Sequence, residues 1–439
     1  MPSLRTMYPW ARNTTVRPST RAIKTASRGS MNCPVSCVDN RTQLHGNSNP
    51  CRACLWRRDR AKVDTLTTQI KRPDRFPYLS ALRGLAALWV VMVHVAHMPN
   101  PHLMLPWWAE ALVGNGVMGV NLFFLVSAFS LCLTMPKHDK EERPYLGFML
   151  RRFFRIAPLF YLLIIVTCLL RIFPFSWSAI AANISFVFNF IPGMGYQTGM
   201  VLAGWTIGVE MAFYLVFPFI YARTKSVTLA IRALIVAFFV AAAFRAVIGN
   251  LVADPASYIN QSIFGLVPMF VFGIVAFYVV QTAGEWKYKR EIGAVLLASV
   301  PLQFYVIIYG LAPFGPAIYW QGPMFGCLLV GLYLLPIRLL VNAATVWLGN
   351  ISYSIYLVHS PVIVALAYKS SVFQRLQGLG LGPVETYALA LGLTLACVIP
   401  TAALTFYGWE NWLNEWGKGF ASRMAGRKGQ HRIVVQEAA

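Results

Sequence analysis

Apolar positions in this chain neither alternate nor fall on a single helical stripe. They run in unbroken stretches of about 20 residues, each long enough as a helix to cross a hydrocarbon core. The pattern predicts spans near 78–97, 117–135, 156–173, 204–222, 228–249, 262–281, 291–310, 316–336, 347–369 and 385–407. A shorter apolar stretch at 177–190 carries Asn183 and Asn189 and reads as a re-entrant or interfacial segment. The expected fold is an all-α integral membrane protein, a polytopic bundle of about ten transmembrane helices.

The polar segments between these stretches set the orientation. The net charge of +22 would suit a nucleic-acid binder, but its placement argues otherwise. Residues 1–77 hold fifteen Lys and Arg against four acids, and the segment 136–155 holds six more basic residues. Arg223 and Lys225, then Lys287, Lys289 and Arg290, then Arg338, mark every second loop after that, and the tail beyond 408 has five. The intervening segments 98–116, 174–203, 250–261 and 311–315 contain no Lys or Arg; only 369–385, with Lys369 and Arg375, breaks the alternation. This is the positive-inside rule, and it puts both termini in the cytoplasm. No nucleic-acid partner is expected; the first partner is the lipid bilayer.

Composition divides the chain into three regions. Residues 1–76 are basic and without periodicity, and are expected to form a disordered cytoplasmic extension; their acid-free, Arg- and Ser-rich start also fits an organelle transit sequence. Residues 77–410 form the transmembrane domain, and 411–439 a short basic cytoplasmic tail. Cys33, Cys37, Cys51 and Cys54 have one half-motif with zinc-like spacing but no apolar pattern around them, so no metal site is expected. Cys132, Cys168, Cys327 and Cys397 fall in spans, where cysteine acts as a small apolar residue.

Ionisable groups within the bilayer are costly and mark function. Of the acids only Glu210 lies well inside a predicted span, and of the histidines only His94 and His359. Arg83 and His94 lie eleven residues apart on the first span, a rotation of about 1100° that returns to within ~20° of the same direction, at an axial separation of about 16 Å. Arg83 thus falls near the cytoplasmic surface and His94 past the midplane on the same face. Counted from the helix starts, Glu210, Asn121 and His359 reach the level of His94.

Acyl transfer suits this arrangement. A hydroxyl attacking a thioester must lose its proton, and a neutral imidazole is the fitting base. Glu210 would orient that imidazole as the third member of a triad does. Arg83, with Arg152 and Arg155 of the run Arg151-Arg152-Phe153-Phe154-Arg155, would take the phosphates of an acyl-CoA through charge-assisted forks. Plainer readings exist for each group. His94 or His359 can hydrogen-bond between helices, Glu210 can be a structural partner, and the arginines can serve only to hold a loop inside. A transporter or flippase of glycan precursors, using Glu210 and His94 as a proton relay, is the alternative function; it has no need of a CoA site.

Five motifs resemble the acyltransferase-3 family of membrane-bound O-acyltransferases. LSALRGLAALWVVMVHV at 79–95 is similar to the family's Arg-x10-His signature, and GVNLFFLVSAF at 119–129 to its second-span motif. RRFFRIAPLFY at 151–161, GWTIGVEMAFYLVFP at 204–218 and LGNISYSIYLVHSPV at 348–362 follow in family order. The chain departs from the family at Asn121, Ala128 and Thr206, where Asp, Gly and Ser are usual. The resemblance implies that His94 and Arg83 are essential, that Arg152 and Arg155 bind the acyl donor, and that Glu210 belongs to the active site. Asn121, Trp205, Tyr353 and His359, within the same motifs, become candidates for binding the acceptor or lining its path. The expected activity is transfer of an acyl group, by default acetyl, from cytosolic acyl-CoA to a hydroxyl of a surface or exported carbohydrate. The expected site is the bacterial inner membrane, with acyl-CoA as co-substrate and no tightly bound cofactor.

Overall fold

The computed structural model describes residues 76–169, 176–192, 199–252 and 255–426. The N-terminal extension and its four cysteines lie outside the described residues, as does Arg171. Within them the chain is helical, with no strand. The long helices are α1 (Pro77–His97), α2 (Met118–His138), α3 (Pro144–Leu169), α4 (Trp205–Arg223), α5 (Val227–Ile248), α6 (Ile263–Ala283), α7 (Lys289–Ile308) and α8 (Ala317–Leu334). They are followed by the pair α9 (Ala343–Asn350) and α10 (Ser352–Val364), then α11 (Pro383–Thr405) and α12 (Asn411–Ala425). Nine helical segments among the described residues are long and apolar enough to cross a bilayer; α9 and α10, bent by 71° at Ile351, together make a tenth.

Each predicted stretch is a helix because a backbone in lipid has to satisfy its own N–H and C=O groups. The bundle is layered by packing. α1, α2 and α6 form its interior, whereas α5 and α7 turn Val236, Phe239, Val295 and Leu302 outward, an apolar surface suited to lipid tails. Small residues let the central helices approach closely. A Cβ on Gly84 of α1 would stand 2.7 Å from the Thr345 carbonyl and 2.8 Å from the Gly349 amide of α9. α1 and α9 therefore touch backbone to backbone.

Two features differ from the sequence expectation, and between them lies one that agrees with it. α3 begins at Pro144, so Arg151, Arg152 and Arg155 ride on its first three turns instead of in a loop. The segment 177–190 contains only the helix Trp177–Ile184 and a 3-10 turn at Phe188–Phe190, too short to cross and in keeping with a re-entrant or interfacial piece. At the far end, the helical path of α11 does not stop at the predicted end of the span, 407. It passes through a π-helical stretch, Phe406–Glu410, into α12, whose Ser422 accepts a hydrogen bond from Arg151 at 3.0 Å. Trp412 and Trp416 stay exposed on α12, as in helices seated at a lipid–water boundary.

Candidate active site

A cavity opens between α1, α2, α3, α4 and α10 at the arginine-rich end of the bundle. Arg83, Arg152, Arg155 and Glu210 line it, with Tyr353 and Tyr356 of α10 and Phe123 of α2. The sequence-predicted cationic residues are thus brought together, but their situations differ. Arg83 donates from Nη2 to Ser130 Oγ at 2.8 Å and has no ion pair among the described residues. Arg152 likewise has none; its guanidinium lies 5.8 Å from the ring centres of both Phe148 and Tyr214, and its buried Nε lacks a hydrogen-bond partner. Arg155 is committed: Nη1 donates to Glu410 Oε1 at 2.5 Å, and Glu410 Oε2 accepts from Ser354 at 2.6 Å.

Glu210 stands on α4 in this cavity and not beside His94. Its Oε1 accepts from the Ser127 hydroxyl at 2.6 Å and from the Tyr214 hydroxyl. Ser127 and Ser130 lie one turn apart on α2, so Glu210 sits one turn from the level of Arg83. The expected carboxylate–imidazole pair is therefore absent among the described hydrogen bonds, and the reason is where α4 starts. Ala203, just before it, takes the left-handed conformation (φ 65°), and its carbonyl accepts from the Tyr356 hydroxyl at 3.0 Å. The helix thus begins inside the bundle, and six residues into it is deeper than a count from the membrane surface implies.

His94 is partly exposed and does not line the cavity; it lies one aromatic layer beyond it. The rings of Phe123 and Tyr356 meet edge to face at 5.6 Å, and Tyr356 stands 5.7 Å from the ring of His359. His359 is fully buried, with Nε2 3.1 Å from Nδ1 of His94. Of the remaining candidates, Tyr353 lines the cavity and donates to the Ile156 carbonyl at 2.6 Å. Trp205 packs against Phe124 at 6.3 Å, outside the lining. Asn121 is buried and donates to Gln321 Oε1 at 2.7 Å, which makes it a partner of α8 and not a lining residue.

Sequence reasoning missed Glu410, because the tenth apolar stretch ends at 407 and the acid reads as part of the tail. The π-helical stretch that carries it inward has no apolar signature; such stretches are common near functional sites. It also missed Ser127, Ser130 and Tyr214, whose spacings are ordinary for any helix.

A bundle of helices long and apolar enough to span a bilayer, with arginines and a histidine pair among its helices, is the architecture of a multi-pass integral membrane protein. Residues 76–403 match the acyltransferase-3 model, described as an acyltransferase domain. The chain belongs to that family, and it is a multi-pass membrane acyltransferase. It is 26% identical to the acyltransferase MdmB of Streptomyces mycarofaciens over 77% of this chain and 90% of that protein. It is 27% identical to the exopolysaccharide production protein ExoZ of Rhizobium meliloti (strain 1021), over 64% of this chain and 85% of that one. No solved structure matches it.

Proposed function

We propose that the protein transfers an acyl group, acetyl by default, from cytosolic acyl-CoA to a hydroxyl of a surface or exported glycan, at the bacterial inner membrane. The observation that carries this reading is the cavity in which, among the described residues, neither Arg83 nor Arg152 makes an ion pair, while Glu210 in the same cavity is engaged by Ser127 and Tyr214. Buried cations are stable only when paired or ligated, and paired phosphates suit the guanidinium fork. The excess of basic loops at that end supports a cytosolic opening. The printed name of ExoZ supports a polysaccharide acceptor.

In this mechanism the donor phosphates dock at Arg152 and Arg83, and the acyl-bearing arm passes Phe123 and Tyr356 toward His94. The imidazole takes the proton from the acceptor hydroxyl as its oxygen attacks the thioester carbonyl carbon. The carbon–sulfur bond then breaks, and the imidazolium returns its proton to the departing thiolate. The new ester leaves on the far side and CoA on the near side. Glu210, holding Ser127 and Tyr214, shapes the donor cavity in place of orienting the base.

Replacing His94 by Ala tests the assignment. The variant should still bind acyl-CoA, yet mass spectrometry of cell-surface glycans should show the acyl modification lost. Unchanged acylation with the variant would end this account.

A further inference from the structure

Besides His94 itself, the only imidazole within hydrogen-bond reach of the base among the described residues belongs to His359, and the neighbouring atoms fix the proton on each ring. His359 Nδ1 lies against the Tyr356 carbonyl, which can only accept, so Nδ1 carries the hydrogen. Its Nε2 is then a lone pair, and the Ser360 hydroxyl at 3.1 Å is placed to donate to it. His94 Nδ1 lies 2.9 Å from the Val90 carbonyl, again an acceptor, so this nitrogen also carries the hydrogen. The same N–H also faces the His359 lone pair at 3.1 Å, so the hydrogen is shared between the Val90 carbonyl and His359, and the lone pair between His94 and Ser360. The opposite assignment would set lone pairs against carbonyl oxygens at both rings. Only one consistent pattern remains: His94 is protonated at Nδ1 and basic at Nε2.

We infer that His359 is a positioning residue that, together with the Val90 carbonyl, orients His94 with Nε2 free to accept a proton and receives its Nδ1–H as charge develops. The inference rests on the reading of His94 as the base. His359 takes the place that a carboxylate occupies in a triad, and that the sequence had suggested for Glu210. When His94 gains its proton, Nδ1–H becomes a charge-assisted donor to the His359 lone pair, so the contact strengthens as charge develops. A neutral acceptor does this without placing a second charge inside the bundle. The surroundings hold His359 in place: it is fully buried, and Tyr356, one turn earlier on α10, is itself tied to Ala203. His359 therefore needs no contact with either substrate to matter.

The test compares His359→Leu with His359→Gln in the purified full-length protein. Gln retains a carbonyl oxygen near the position of Nε2, and Leu retains only bulk. His359→Leu should lower kcat by roughly 10- to 150-fold, the loss of one charge-assisted hydrogen bond to the protonated base, the Val90 carbonyl being retained. Its affinity for acyl-CoA should stay within about twofold, since the donor cavity is elsewhere, and His359→Gln should recover at least about tenfold of the loss. Wild-type kcat in folded His359→Leu overturns the inference, as does an equal loss in the two variants. If the Leu variant does not fold, nitrogen NMR of histidine-labelled wild-type protein decides, because a hydrogen on Nε2 of neutral His94 contradicts the assignment. The parent reading is separable. Activity in His94→Ala removes the base itself, whereas an inactive His94→Ala with a fully active His359→Leu removes only the positioning role.

Discussion

Arg152 and Arg155 stand one turn apart on α3 and line the same cavity, yet their removal should have opposite signatures. Arg152 has no ion pair among the described residues, so its charge is available to the donor. A charge-assisted hydrogen bond is worth about 1.5–3 kcal/mol, which converts to a rise of roughly 10- to 150-fold in KM for acyl-CoA in Arg152→Ala. Stability should hardly change, because what is lost is a cation already short of partners. Arg155 instead neutralises Glu410, which is 1% exposed. Truncating it leaves a buried carboxylate with Ser354 alone, a loss of about 3–5 kcal/mol for a fully buried pair. Because the Arg155 side chain is 31% exposed, the low end applies, near 3 kcal/mol, or a melting point lower by ~5 °C. The double variant Arg155→Met/Glu410→Leu removes both charges and should regain most of that loss. Initial rates against acyl-CoA and fluorescence-detected melting in detergent separate the two roles. A raised KM at wild-type melting in Arg155→Ala, with no change of KM in Arg152→Ala, would refute the assignment.

Two further perturbations address packing. Gly84→Leu puts a side chain where α1 and α9 meet backbone to backbone, and should destabilise by about 1–3 kcal/mol while lowering kcat, through displacement of α1 from α10; melting and turnover of one preparation check it, and wild-type values for both would contradict the close approach. Asn121→Leu leaves the Gln321 amide buried without its partner, at a loss of about 1–3 kcal/mol, which Gln321→Leu on the same background should largely restore; additive losses would show that the two amides act independently.

The spans were legible because lipid imposes one secondary structure on any apolar stretch of sufficient length, and the observed helices follow the predicted ones closely. The alignment of Arg83 with His94 was legible because it needs only the helical repeat. What the sequence hid was depth. The level of Glu210 depended on a left-handed Ala203 that lets α4 start inside the bundle, and no residue near 203 announces that turn. The partner of Arg155 depended on a π-helical stretch beyond the last apolar run. Asn121 was read as a possible lining residue because, counted from its helix start, it reaches the level of His94. Its partner, Gln321, lies two hundred residues away on α8, a distance that local pattern cannot bridge.

One element connects the two halves of the site. Arg83 and His94 share a face of α1, but their neighbours differ: α2, α3 and α4 surround the first, while α10 supplies the partner of the second. Beside α1, α10 reaches both levels, with Tyr353 at the cavity and His359 at the imidazole, six residues or about 9 Å along its axis. It lies along α1 because the chain bends by 71° at Ile351 and because Gly84 and Gly349 let α9 dock without side chains between the backbones. A straight ninth span of the same composition would satisfy the lipid equally well and would carry His359 away from His94. The bend is therefore a matter of backbone packing against α1 and not of the lipid, which is why apolar periodicity predicted the span but not its shape.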